Sequence, residues 1–530
     1  MSAVSSFLFV TILIFCQIIS IIADQKDLSI CDFVAATNIQ HIILPGDKIV
    51  FGWSCTESHL PHTDPCIGSQ GNADPDADFP VWTGVKCNDF GISEISLPSI
   101  GLTGSISSTF GLLTTLINLN LGYNCLAGTV PHTLGSLTLL TGLQLNNNSL
   151  AGWIPQEFFC STTIAMTPAN ARLGLDARFE SGMTSLKTLG LGGNRFSGEL
   201  PVSAAAVIKS PFAPTSYYYC YKVMESLLHL DLGDNSLTGR LPNEMGRLMQ
   251  HLQQLDLQNN WFGGPVPFSL GGSGGIGSTN TLQRLELRDN IFTGVIPSSF
   301  QLLTALQRLT LSNNTFEGEI PLEWLCARQN GNLMSLDLRF NKFGGDVPTS
   351  VGRCTALQHL LLHHNRIEHR IPSEVGLLGE LRTLQLSHNR LTGGLPTNIG
   401  QCRALTELHL QSNQISGDIP SALGSLGALK MLDLSGNSFM GSTLPPDLLH
   451  CSALQSLNLA NADIGGALTA FEAAGGAIGE KWRMLTYLNL ELNEFTGVLP
   501  STVGFLNRLV VLKINDNELT GELLLLIYSY

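Results

Sequence analysis

Arg284, Arg288, Arg308 and Arg339 stand among Asp231, Asp256, Glu286 and Asp337, and His359, His363, His364 and His388 follow them. Only 13 % of the chain is charged, about half the usual share, so this gathering is informative. A guanidinium presents a planar fork that grips carboxylates and phosphates in bidentate fashion. Such a group suits a peptide C-terminus or an acidic sugar. The competing reading is a solvated face on which arginines and acids pair across neighbouring strands, as in Arg284 with Asp256 or Arg308 with Glu286. His363-His364 with Glu368 and His369 invites a metal reading. The spacing is not H-E-x-x-H, however, and adjacent strand residues point to opposite sides, so no metal ligands are assigned. A nucleophile elbow, a P-loop and paired carboxylates at a cleft mouth are all missing, so neither a catalytic residue nor a cofactor is expected.

These residues hold fixed places in a repeat. The phrase Leu357-x-x-Leu360-x-Leu362-x-x-Asn365-x-Ile367 returns 24 residues later as Leu381-x-x-Leu384-x-Leu386-x-x-Asn389-x-Leu391-x-Gly393-x-Leu395-Pro396. Self-similarity at such a period means stacked coils that bury their apolar faces only against one another. Sixteen asparagine positions set the register: 100, 124, 148, 194, 235, 260, 290, 314, 341, 365, 389, 413, 437, 462, 493 and 517. Fourteen hold Asn, with Ile100 and Ala462 as exceptions. A buried amide there can satisfy both N–H and C=O groups of a tight turn and bond to the adjoining coil. Ile100 therefore reads as the first, cap-facing coil and Ala462 as a local weak point.

Leucines at −8, −5, −3 and +2 from each asparagine are expected to face the core, the −5/−3 pair with the period of a half-buried strand. Gly at +4 permits positive φ, although His369 stands there once and suggests a local distortion. Pro at +7 starts the return path. Parallel strands about 4.8 Å apart give a solenoid roughly 75 Å long. Its concave sheet presents the positions between and beside the strand leucines: Asp231, Asp256, Glu286 and Asp337, then Arg284, Arg308 and His359, then Arg288, Arg339 and His363.

The pattern L-x-x-L-x-L-x-x-N-x-L-x-G-x-I-P resembles the plant-type leucine-rich repeat over about Ile92 to Leu523. The resemblance implies an α/β repeat solenoid. This is a right-handed superhelix with a parallel β-sheet on the concave face and short helical, 3-10 or irregular segments on the convex face. It points to the extracellular parts of receptor-like proteins and receptor kinases. Polygalacturonase-inhibiting proteins have similar coils but fewer of them. Asp64-Pro65-Cys66 and Trp82-Thr-Gly-Val-Lys-Cys87 resemble the cap signature of that family. The resemblance implies a Cys66–Cys87 bridge, with Cys31–Cys55 the remaining pair of the three possible arrangements.

Residues 1–23 read as a secretory signal, with an apolar run from Phe7 to Ile22 before a polar start at Asp24. Residues 24–91 form a cap, residues 92–523 the sixteen repeats, and residues 524–530 an uncapped or truncated end. Insertions lengthen the repeat near 156–180, 203–222, 268–280 and 470–481. Tyr217 to Tyr221 mark the second, which reads as a loop folded over the coil edge or as a contact surface. Cys354, Cys402 and Cys451 each lie eleven residues before an asparagine position. Two coils separate them, beyond disulfide reach, so they read as small buried hydrophobes. Asn147 and Asn313 open the N-x-S/T sequons and are the glycosylation candidates.

A net charge of −14 without a Lys/Arg cluster argues against nucleic acid, and no segment after the leader is long enough to span a membrane. The expected protein is secreted or at the cell surface. It recognises a peptide, protein or glycan on the concave face, with a co-receptor as a further partner the resemblance allows. The alternatives are a secreted inhibitor of an extracellular hydrolase and a structural protein of the cell wall or matrix.

Overall fold

The computed structural model describes residues 84–88, 91–159, 161–164, 183–200, 216–219, 226–242, 245, 251–271, 281–326 and 331–521. The chain divides into two compact units, one ending at Leu282 and one beginning at Gln283. Each is a leucine-rich-repeat stack.

In the first unit, the strand Val85–Asn88 pairs antiparallel with Gly91–Ser96. From there the inner sheet runs parallel through Asn118–Asn120, Gly142–Gln144, Thr188–Gly190, His229–Asp231 and Gln254–Asp256. In the second unit, ten parallel strands run from Arg284–Glu286 to Val511–Lys513. These strands are three residues long because only −6 to −4 lie flat before the chain turns. Leu357, Leu360, Leu362 and Ile367 show the inward set, all fully buried. In three successive coils the +2 residue is Phe292, Phe316 and Phe343, with ring centroids 6.1 and 6.2 Å apart.

The asparagines hold the turns. Asn389 Nδ2 donates to the carbonyls of Leu362 and Leu386 at 3.0 Å and of Ser387 at 3.2 Å, and its Oδ1 accepts from Ile367 N at 3.0 Å. Two of these four bonds reach the preceding coil. Each turn also forces the residue before the asparagine into left-handed backbone. This happens in all sixteen coils, at Asn147, Asp289, His364 and His388 among others, and Asn, Asp and His are the non-glycine types that tolerate it best.

Ala462 is not the gap expected. Phe439 N, which an asparagine would otherwise serve, bonds to the Ala462 carbonyl at 2.9 Å. Asn493 Oδ1 then accepts from both Ala462 N (3.2 Å) and Ile464 N (3.0 Å). Asn124 does the same for Ile100 and Leu102, at 3.1 and 3.0 Å. In both coils the residue at +1, Asp463 or Gly101, is also left-handed. The two exceptions therefore share one alternative turn with its backbone groups satisfied.

Glycine at +4 has positive φ in fifteen of the sixteen coils. His369 keeps the same conformation, with φ 60°. Its strand Arg366–His369 stays paired to Lys342–Gly345 and Arg390–Gly393, so the expected distortion is not found. These +1 to +4 segments form a second ladder on the flank. After Pro at +7 most coils make one 3-10 turn on the outer side, such as Thr397–Gln401 behind Pro396.

The cysteines depart from expectation. Cys354 is bonded to Cys326 of the preceding coil, with Cα atoms 5.0 Å apart, so it is not a free hydrophobe. Cys402 and Cys451 are free and buried, and burial pushes their thiols up to about 11 and about 12. Cys87 lies on the first strand, whereas Cys31, Cys55 and Cys66 lie outside the described residues, as do residues 1–23. The first two insertions join, Ser161–Ile164 pairing antiparallel with Ser216–Tyr219. The last insertion forms the helices Leu468–Gly475 and Ile478–Lys481.

Removing the Asn389 amide strands buried backbone groups in two coils. Asn389→Ala should lower unfolding free energy by about 1–3 kcal/mol, read as a lower denaturant midpoint. Ala462→Asn should not raise it, because the added amide enters a fully buried site with no backbone group left to serve.

Candidate functional site

On the inner sheet of the second unit, Arg284 and Arg308 are direct strand partners, as are Glu286 and Thr310. Both guanidiniums flank one carboxylate, each Nε 4.0 Å from Glu286 Oε1, and the Glu286 side chain is only 12 % exposed. Arg288 pairs with Asp289 of its own turn at 2.8 Å, and Arg339 with Asp337 of its own coil at 3.2 Å. None of the four arginines forms part of an open cationic cluster; all are half-exposed and already beside an acid. In the first unit, Asp256 Oδ1 accepts from Gln258 N at 3.0 Å. Burial raises the Asp337 carboxyl above its ordinary range, against the pull of Arg339 and of hydrogen bonds from Arg339 N and Ser312.

Beside these rows the sequence reading missed an aromatic column. Phe340, His364 and His388 all occupy the left-handed position before an asparagine. Their rings stack face to face, centroids 4.3 Å apart and then 4.1 Å. His363 stands edge-on to Phe340 and His364, at 5.4 and 5.6 Å. The left-handed preference of His and the one-coil spacing of 364 and 388 were the available signal. Burial is the main cause that holds His363 at about 4, with the Arg339 charge and the neighbouring imidazoles acting in the same direction. His359 is lowered too, first by burial and then by Arg308 and Arg382. His369 lies on the flank instead. Among the described residues no three His, Cys, Asp or Glu side chains are grouped to hold a metal.

Asp231, in the first unit, has a different setting. Asn146 Nδ2 donates to its Oδ2 at 2.5 Å and Gly233 N to its Oδ1 at 3.1 Å. Asn146 and Asp231 belong to coils on either side of the Asn194 coil, and they meet over Gly192. A Cβ at Gly192 would lie 2.5 Å from Asp231 Oδ1. Burial is the main cause raising the Asp231 carboxyl. This acid therefore serves the coil stack. Asn313 is exposed and donates to Asp289 Oδ1 at 2.6 Å, while Asn147 is half-buried.

The repeats are matched by two family models described as Leucine rich repeat, one over residues 331–391 and 403–464 and the other over 226–248, 251–273 and 281–303. No match was found among curated proteins. The chain carries leucine-rich repeats and resembles plant-type receptor ectodomains. Among solved structures it is similar to the Arabidopsis receptor kinase HAESA, seen in complex with the peptide hormone IDA and the co-receptor SERK1. Identity is 28 % and TM-score 0.64, over 82 % of this chain and 67 % of that one. It is similar also to the ectodomain of the Arabidopsis thaliana receptor kinase GASSHO1/SCHENGEN3 in complex with CASPARIAN STRIP INTEGRITY FACTOR 2. There identity is 25 % and TM-score 0.53, over 82 % of this chain and 54 % of that one. A leucine-rich-repeat protein of Leptospira interrogans aligns with 26 % identity and TM-score 0.56, over 80 % of this chain and 90 % of that one.

The sign of the His363 effect follows from its lowered value. The unfolded chain takes up a proton near 6.5 and the folded one near 4, so stability should fall as pH drops through that window. His363→Gln should flatten the loss by on the order of 1 kcal/mol after solvent screening. An NMR titration should place the His363 midpoint near 4.

Proposed function

We propose that this protein is an extracellular recognition module whose inner face, in the second unit, binds an extended peptide ligand of mixed charge. The observation carrying this reading is the row of arginines, each half-exposed beside an acid. An exposed pair of this kind contributes only about 0–1 kcal/mol to stability, so fold maintenance is a weak reason for it. Spread over neighbouring strands, the pairs offer alternating charge to a chain laid across the sheet, with the Phe340–His364–His388 column at one side. HAESA and GASSHO1/SCHENGEN3, each seen bound to a peptide hormone or a named factor, support the reading by analogy.

The Cys326–Cys354 disulfide supports an oxidising, extracellular compartment. Residues 1–23 as a secretory leader and Asn147 and Asn313 as glycan acceptors belong to the same proposal. A catalytic role is not proposed, because the site offers paired charges on an open face in place of an activated nucleophile.

Arg288→Glu with Arg308→Glu tests it. Glu286 keeps Arg284 at 4.0 Å, so the melting temperature should hardly move. Affinity for a peptide selected from a synthetic secreted-peptide panel should fall tenfold or more, about 1.4 kcal/mol. Unchanged affinity in the double variant would place the ligand elsewhere.

A further inference from the structure

The coil of Asn314 leaves the common pattern after Pro321. It makes one α-helical turn, Leu322–Leu325, in place of the 3-10 turn, and this ends at Cys326. The disulfide to Cys354 fixes that end to the next coil. Leu322 and Leu325 are buried, which leaves Glu323 exposed and Trp324 half-exposed. Beside this turn runs an open groove of about 1160 Å³, lined among others by Glu319, Trp324, Asp346, His369 and Glu374. Pro321, Pro348 and Pro372, at one position of three successive coils, also line it.

His369 explains the groove's charge. On this flank the side chain at +5 commonly lies across the glycine at +4 of the next coil. A Cβ at Gly345 would meet Glu319 Cγ at 3.1 Å, and one at Gly393 would meet Arg370 Cγ at 2.8 Å. Where the next coil carries His369 instead, Asp346 cannot lie flat. The imidazole Nδ1 bonds to Asp346 Oδ1, and the Asp346 side chain stays 61 % exposed. Left-handed backbone costs a non-glycine residue roughly 1–2 kcal/mol. An exposed pair returns only about 0–1 kcal/mol, so stability does not account for His369. A non-glycine residue kept here without a return in stability calls for a role beyond the fold.

The groove's ionisable lining is lopsided: Glu319, Glu323, Asp346 and Glu374 face one arginine, Arg370, and one histidine. Among the described residues neither Glu319 nor Glu323 has an ion-pair partner. We infer that this flank groove is a second binding site, distinct from the inner face, for an extended Lys/Arg-bearing peptide segment of a partner protein. Asp346, held upright by His369, and Glu319 take its cationic groups. Trp324 and the proline row take the apolar parts between them.

The test uses the full chain and two labelled synthetic peptides, one of Lys, Arg and Pro and its counterpart with Glu for every basic residue. The basic peptide should bind, more weakly as salt rises, and the acidic one should not. Glu319→Gln with Asp346→Asn should weaken binding tenfold or more, whereas Glu494→Gln with Glu518→Gln, exposed acids outside the groove, should change it less than twofold. His369→Gly should weaken binding severalfold while leaving the melting temperature unchanged or higher, a split that a merely structural histidine would not give. Arg288→Glu with Arg308→Glu should leave this binding intact, which separates it from the inner-face reading. Equal binding of both peptides, equal loss with the Glu494/Glu518 control, or wild-type affinity in His369→Gly would overturn the inference.

Discussion

The hydrogen bonding of one buried asparagine amide decides what else this molecule can be. A chain that turns every few residues leaves inward-pointing N–H and C=O groups that no strand or helix satisfies. Asn389 and its equivalents close those groups in their own coil and in the one before. Because the turn is closed from within, the surface positions around it are free to vary. The left-handed residue just before the asparagine is part of the same device, and it places His364 and His388 so that their rings stack.

The periodic part of this arrangement was legible in the sequence. The leucine columns, the asparagine register and the glycine at +4 each follow from a residue type recurring at one phase. What stayed hidden depended on side-chain reach or on a break in phase. Arg339 finds Asp337 two residues back in its own coil instead of an acid across the sheet, a choice set by local geometry. Cys354 was compared with cysteines at its own phase, two coils away. Its partner Cys326 sits in a coil three residues longer than the repeat, 27 in place of 24 from Asn314 to Asn341. At Ala462 the residue type was read correctly as a missing amide, yet backbone groups rearranged to replace it. The left-handed column could have been read, since Asn147, Asn259, Asn313, Asp234, Asp289 and Asp516 all fall on it. The inner-face arginines were found by phase, whereas the flank groove went unnoticed because its acids come from positions treated as turn and return path.

Each coil thus exposes two chemically separate strips, the strand positions on the inner sheet and the +3 to +5 positions on the flank, divided by the buried asparagine and the +2 residue. Changes on one strip need not disturb the other. In the coils of Asn314 and Asn341 both strips carry charged side chains, although the chain as a whole is poor in them. On the inner strip each arginine sits beside an acid, whereas on the flank Glu319 and Glu323 meet no base among the described residues.

The ladder also has a direction. Every cross-coil bond of the asparagine runs toward the N-terminal neighbour, so a coil's +2 amide is closed only by the coil made after it. A ribosome adding about 5–20 residues per second needs roughly one to five seconds per coil, whereas turn and hairpin closures take microseconds. During synthesis the newest coil is therefore always the unfinished one, and it waits for sequence still to be made. Folding becomes a zipper whose pace is set by translation, with a single open tooth at its growing end.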